Sequence, residues 1–204
     1  MVKKIAIFAS GSGSNFEAIV QAVRSGRLEG VEVSLLVCDK PGAKVVERAE
    51  RLGVEAFVFS PKAYADKAAF EADIVAELRK RDVTLVVLAG YMRLIGETLL
   101  AAYEGSIINL HPSLLPAFPG KDAIGQAIAH GVKITGVTVH VVDAGLDTGP
   151  IIAQMPVAVE ETDTTETLAA RIHQVEHQLL VEVIGWLAAG RVKLDGRLVR
   201  VAAE

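Results

Sequence analysis

Cys38 is the only cysteine in a chain of 204 residues. One thiol cannot form an intramolecular disulfide or an all-cysteine metal site. Its place at the end of the strand-like run Val33 to Val37 points to a buried, inert side chain. No apolar stretch reaches the ~18 residues that a membrane helix needs. An excess of positive charge is missing too. Lys and Arg number 21 against 25 Asp and Glu, a net charge of −4. Neither a nucleic acid nor a membrane is therefore an expected partner. A strand begins almost at the first residue, so no signal peptide is expected and a reducing cytoplasm is the default. There is no linker, repeat or low-complexity segment. The Gly-Lys-Ser/Thr of a Walker A loop is absent, and so is the Gly-x-Ser-x-Gly elbow of a serine hydrolase.

What is present is a chain 51% hydrophobic, of a length that suits one α/β domain. Strands are expected at Val2 to Ala9, Val31 to Val37, Val54 to Phe59 and Val83 to Ala89. Helices at Ser14 to Arg24, Ala43 to Leu52 and Tyr64 to Arg81 alternate with them. Gly53 is the expected cap of the second helix. In the first helix Phe16, Ile19, Val20 and Val23 carry the apolar period. Strands buried on both faces belong to parallel sheets covered by helices. The expected fold is doubly wound α/β, with a mostly parallel sheet and helices on both faces.

The second half continues with a helix at Glu97 to Tyr103, a strand at Ser106 to Leu110 and a helix at Asp122 to His130. Strands follow at Ile134 to Val142 and at Ile151 to Val159, the latter near an edge because Pro150 leads into it. A long amphipathic helix spans Thr164 to Ala189, with Thr162 or Asp163 as its cap. A hairpin at Val192 to Val199 closes the fold, with Asp195-Gly196 as a type I′ turn. One domain over 1–204 is expected, with a phosphate-binding half at 1–100 and a catalytic half at 101–204.

Asn109-Leu110-His111-Pro112-Ser113-Leu114-Leu115-Pro116 is the most informative stretch. Residues two apart on an extended chain point to the same side, so Asn109 and His111 can converge. The prolines end regular structure and stiffen the loop that follows. An amide donor beside a titratable ring suits oxyanion stabilisation with proton transfer. Asp143 to Pro150 is a Gly-rich loop with two carboxylates, Asp143 and Asp147. A carboxylate beside a histidine favours the imidazolium and orients the ring.

Ser10-Gly11-Ser12-Gly13-Ser14-Asn15 lies between the first strand and the first helix. Small residues and a helix N-terminus suit a phosphate. A dinucleotide fingerprint would need a small residue where Phe16 stands, although Asp39 occupies the place of a ribose-reading acid. A tight turn without ligand is the plainer alternative. On the long helix, His173-Gln174-Val175-Glu176-His177 matches the inverted zincin pattern. No third ligand stands out, so no metal is expected. Glu176 reaching a substrate amine, or a solvated helix face, are the two readings of this patch.

These motifs, together with Leu88-Ala89-Gly90-Tyr91-Met92-Arg93, resemble the folate-dependent formyltransferase family over essentially the whole chain. The Gly-Ser-Asn loop points to the members that formylate glycinamide ribonucleotide. The resemblance implies a Rossmann-like formyltransferase fold with 10-formyltetrahydrofolate as co-substrate, a role in purine synthesis and no metal. It implies that Asn109, His111 and Asp147 are catalytic. Gly13, Ser14 and Asn15 would hold phosphate and ribose, and Pro112 and Glu176 would complete the substrate site. Lys67, Met92, Arg93, Leu94, Ile95, Asn109, Asp143 and Asp147 would meet the folate. Lys67 stands where relatives often carry Arg, and Lys121-Asp122 where many have a His. The chain is expected to be a monomer or homodimer that binds small molecules. A methionyl-tRNA formyltransferase would need an added nucleic-acid domain. A nucleotide-binding regulatory module would leave Asn109, His111 and Asp147 unexplained.

Overall fold

The computed structural model describes residues 2–203. The strands are β1 (Lys3–Phe8), β2 (Val31–Cys38), β3 (Ala56–Val58), β4 (Leu85–Leu88), β5 (Ile107–His111), β6 (Ile134–Val141), β7 (Ile151–Ala158), β8 (Val192–Asp195) and β9 (Leu198–Val201). The helices are α1 (Ser14–Arg24), α2 (Lys44–Arg51), α3 (Lys67–Lys80), α4 (Glu97–Ala102), α5 (Ala123–His130) and α6 (Thr165–Ala188). Strands β1 to β7 form one mostly parallel sheet in the order β3-β2-β1-β4-β5-β6-β7, and β8 and β9 form a separate hairpin. The chain divides into two compact units, one ending at Asn109 and the other beginning at Leu110.

In the first unit β1 pairs in parallel with β2 and β4, β2 with β3, and β4 with β5. The reason is in the residues. Ile5, Ala6, Ile7 and Phe8 are fully buried, as are Leu35 to Cys38 and Val86 to Val87. Each such large side chain contributes about 1.5–3 kcal/mol by leaving water. Strand order reverses at β1, with β2 on one side and β4 on the other. In open α/β sheets the carboxyl ends of strands at such a reversal are where ligands bind. Cys38 is fully buried, and burial pushes its thiol above the ordinary range.

In the second unit β6 and β7 are antiparallel, with Gly136 opposite Pro156 and Thr138 opposite Gln154. Strand β7 ends the sheet order. That is where a strand containing Pro156 can sit, because proline cannot donate to a second neighbour.

Several boundaries differ from the expected ones. Asp66 accepts the Ala69 N–H at 2.8 Å and starts α3 there, after a 3-10 turn at Pro61–Ala63. Tyr64 is extended instead and meets Phe59 and Phe70 edge-on. On α1 it is Ala22, not Val23, that is buried with Phe16, Ile19 and Val20. Asp122 is the cap of α5 and not its first residue. Thr164 caps α6 in a reciprocal pair with Thr167, displacing Thr162 and Asp163 from that role. Asp163 instead pairs with Arg171. In the hairpin Asp195 faces Leu198, so the turn residues are Gly196 and Arg197. Only Gly196 has a positive φ, which excludes the expected type I′ turn. His111 itself belongs to β5, so the proline loop begins one residue later than the apolar pattern implied.

Candidate active site

At the carboxyl end of β1 the chain turns through Gly11 to Asn15 into α1. Gly13 is the cap residue, at φ 76, and no side chain caps the helix. A Cβ on Gly13 would lie 2.4 Å from Val45 Cγ2, so packing on α2 requires glycine there as strongly as any ligand would. The loop's carbonyls are already used. Gly11 O accepts the Val45 N–H at 3.1 Å and Ser12 O accepts Arg48 Nε at 2.8 Å. What remains for a ligand is the donor end of the helix, which favours an anion. Ser14 is half-buried at the first helical position, and Asn15 is buried.

Beside this loop, β4 ends in the segment Ala89 to Gly96. The Met92 N–H donates to Ser10 Oγ at 2.9 Å, and Arg93 Nε donates to Asp39 Oδ2 at 2.7 Å. Asp39 Oδ1 receives the Ser10 hydroxyl at 2.5 Å. The acid that stands in a ribose-reading position is thus occupied by its own chain. Met92 and Leu94 are exposed at 68% and 60%, while Ile95 is half-buried. Two large apolar side chains of this segment are thus held in solvent. Lys67 opens α3, and its Cε lies against Gly96, where a Cβ would approach within 2.8 Å.

In the second unit His111 is buried at the end of β5. Both ring nitrogens face acceptors. Nε2 lies 2.8 Å from the Phe118 carbonyl oxygen, and Nδ1 lies 3.4 Å from Asp147 Oδ2. A carbonyl can only accept, so Nε2 carries a hydrogen. A ring protonated on both nitrogens has an acceptor for each. Asn109, half-buried, precedes it by two residues on the same strand, so both side chains leave that strand on one side. Pro112 follows directly and is also half-buried.

Asp147 has φ 55, a left-handed conformation that Asp tolerates better than most residues. Its Oδ2 accepts the Gly120 N–H at 2.7 Å, and its Oδ1 faces His140 Nε2 at 3.8 Å. Burial pushes its carboxyl up. The His140 imidazole, the Gly120 N–H and the charge of His111 outweigh burial and hold it below the ordinary carboxylate range. Asp143 shapes the same loop. Its Oδ1 accepts the Gly145 N–H at 3.0 Å and the Thr148 hydroxyl at 2.7 Å.

A match to the formyl transferase family model runs over residues 3–184. The chain belongs to that family. It is similar to phosphoribosylglycinamide formyltransferase of Bacillus subtilis (strain 168), 58% identical over 90% of this chain and 93% of that protein. The crystal structure of glycinamide ribonucleotide transformylase 1 from Symbiobacterium toebii superposes with a TM-score of 0.96. It is 46% identical over 99% of this chain and 95% of that one. The transformylase 1 from Geobacillus kaustophilus gives a TM-score of 0.90 and 61% identity over 92% and 100%.

In this family member four residues that sequence reasoning passed over shape the surroundings of His111. His140, Thr138 and Gly136 alternate along β6 and so share a face. The Thr138 hydroxyl donates to Ser113 O at 2.6 Å and accepts the Leu115 N–H at 3.1 Å. A Cβ on Gly136 would lie 2.6 Å from Leu114 Cδ2 and 2.2 Å from Met155 O. Gln154 Nε2 donates to Leu115 O at 2.8 Å. Thr138, Gly136 and Gln154 hold the loop that presents the Phe118 carbonyl to His111, while His140 faces Asp147. A strand alternation of polar residues on a buried segment was the signal available for them.

Glu176 is buried on α6, and its Oε2 accepts from His173 Nδ1 at 2.8 Å. That bond raises the His173 imidazole above its ordinary value, against burial. His177 is pushed the other way, by burial first. Among the described residues no group of three or more His, Cys, Asp or Glu is placed to hold a metal ion. Among them, too, no helix is long and apolar enough to cross a membrane.

Proposed function

We propose that this chain transfers the formyl group of 10-formyltetrahydrofolate to the amine of glycinamide ribonucleotide, a step of purine (IMP) synthesis. The observation that carries the reading is His111 with an acceptor at each ring nitrogen, one of them Asp147. It occurs in a chain so similar to an enzyme of that name.

The chemistry follows from these groups. The ribonucleotide amine is the nucleophile, so no serine or cysteine is acylated, and buried Cys38 has no part. Its nitrogen bonds to the formyl carbon and gives a tetrahedral oxyanion. The Asn109 amide donates to that oxygen, a kind of donor worth about 10²–10³ in turnover. The positive charge of a doubly protonated His111, its two N–H groups held by Phe118 and Asp147, stabilises the developing negative charge. Asp147, ionised between two histidines, keeps the positive charge of His111 in place. The bond from the formyl carbon to the folate nitrogen then breaks. The proton released by the former amine passes to that nitrogen, directly or through water.

Gly13, Ser14 and Asn15 bind the phosphate and ribose, and Pro112 and Glu176 the rest of the ribonucleotide. Lys67, Met92, Arg93, Leu94, Ile95, Asn109, Asp143 and Asp147 bind the folate. The chain acts as one formyltransferase domain, a cytoplasmic monomer or homodimer, with no metal in the reaction. The test is formyl transfer by the purified protein. Formylated ribonucleotide and tetrahydrofolate should appear in equal amounts. Release of formate without ribonucleotide product, or transfer only to methionyl-tRNA, would overturn the assignment.

A further inference from the structure

Asp39 is the residue the proposed chemistry leaves without a task. It is 3% exposed at the carboxyl end of β2, and a buried carboxylate is costly unless it is paired and hydrogen-bonded. Both oxygens are taken, Oδ1 by the Ser10 hydroxyl at 2.5 Å and Oδ2 by Arg93 Nε at 2.7 Å. The same Ser10 oxygen accepts the Met92 N–H at 2.9 Å, and the Ser10 N–H donates to Gly90 O at 3.0 Å. One carboxylate therefore fixes a backbone position at Met92 and a side chain at Arg93. The far end of the segment is fixed by a second buried acid. Glu71, 2% exposed, accepts the Gly96 N–H at 2.6 Å and the Leu99 N–H at 3.2 Å. Only Leu94 and Ile95 lie between the two anchors. The result is a short backbone span pinned at both ends that shows Met92 and Leu94 to solvent.

We propose that Asp39 is a positioning residue for the co-substrate: its carboxylate clamps the Tyr91 to Gly96 segment to the end of the glycine loop and so presets the apolar surface that receives the folate. The proposal rests on the folate assignment made above for residues 92–95. Preorganised surfaces bind more tightly because less ordering is left to the moment of binding. In a dinucleotide-binding domain an acid in this position is open to a ribose. Here its oxygens are closed by Ser10 and Arg93, which ties the position to the segment after β4 instead.

The test uses the whole chain with Asp39→Ala, Asp39→Asn and Ser10→Ala. Asp39→Ala leaves the Ser10 and Arg93 donors unanswered, while Asn keeps one acceptor oxygen. In Asp39→Ala the KM for 10-formyltetrahydrofolate should rise roughly tenfold or more, the size of a lost hydrogen bond to a charged group. The KM for glycinamide ribonucleotide and kcat should each move by less than about threefold, with Asp39→Asn intermediate. The second readout needs no reaction. In the unligated protein the Met92 amide should exchange its hydrogen faster in Asp39→Ala and in Ser10→Ala than in the wild type. If the wild type transfers no formyl group, the functional assignment fails while the Met92 exchange still decides the clamp. Unchanged Met92 exchange in both variants, or equal rises in both KM values, would overturn the clamp. Should Asp39→Ala not fold, Asp39→Asn and Ser10→Ala are judged by the same two readouts.

Discussion

The glycine loop of the first unit offers its main chain, whereas the histidine cluster of the second is built chiefly of side chains, with the Phe118 carbonyl and the Gly120 N–H beside them. In the loop, Gly11 and Ser12 give their carbonyls to Val45 and Arg48, and what they leave is the donor end of α1. Around His111, the partners come from the 113–120 loop, from β6 and from the 143–150 loop. A main-chain site depends on conformation, so it tolerates changes of side chain but not of φ. A side-chain site depends on charge and hydrogen-bond order, so it tolerates changes of volume but not of donors. The contrast can be tested from its strongest consequence downward.

The largest effect should come from Asn109 and His111 of β5. His111→Ala and Asn109→Ala should each lower turnover by about 10²–10³ with both substrates saturating. The pair should lose far less than the sum, because they act on one oxygen. Affinities should change much less than turnover, since the oxyanion exists only along the reaction path. Steady-state kinetics of the two single variants and the double one decide this. Turnover close to wild type in either single variant would break the comparison at its catalytic side.

Asp147→Asn should have the next largest effect, lowering turnover by about tenfold or more. Asn fits the left-handed backbone, so the change isolates charge. Without the carboxylate the imidazolium is disfavoured, and the alkaline limb of the pH–rate profile should move to lower pH. Stability follows the same charge. The folded carboxyl of Asp147 lies below its ordinary value of 3.8. Its contribution is therefore complete above that value and is lost as pH falls through the lowered one. Wild type and variant should differ in denaturant midpoint at neutral pH and converge in strong acid. A limb that stays in place would separate Asp147 from the charge of His111.

The loop gives a smaller and more local pair of effects. Gly13→Ala meets both a φ of 76 and Val45 at 2.4 Å, and it should cost about 1–3 kcal/mol of stability whether or not ligand is present. A Cβ on Gly11 meets nothing within 4 Å. Gly11→Ala should leave the melting temperature unchanged and weaken the ribonucleotide alone, as read by calorimetry with each ligand in turn. Loss of stability in Gly11→Ala, or none in Gly13→Ala, would reverse the assignment of these two glycines.

The smallest effect is none. Turnover should survive extended chelation, and metal analysis should find no stoichiometric zinc. Loss on chelation that zinc restores would give His173 a role beyond its bond to Glu176, and His177 a role with it.

The parts that were legible in the sequence are those with a local cause. The apolar runs Ile5 to Phe8 and Leu85 to Leu88 announced parallel strands, and Gly11 to Asn15 announced a strand-to-helix loop. Boundaries were less legible, because caps compete. Asp66 and Thr164 took the N-terminal hydrogen bonds of α3 and α6, and nothing in the periodicity ranks them above Tyr64 or Asp163.

The sequence by itself marked the residues to which the proposed chemistry is assigned: Asn109 and His111 at a spacing of two, Asp147 in a glycine-rich loop, and a small-residue turn fit for an anion. Alternation and turn propensity act over a few residues, so they leave a mark in the order of amino acids. Only the tertiary structure decided that Asp147 stands between His111 and His140, that Thr138 and Gln154 hold the proline loop, and that Asp39 is closed by Ser10 and Arg93. Those partners are tens of residues apart along the chain. Their meeting follows from strand order and register, which are set by burial of the whole sheet and are written in no single segment.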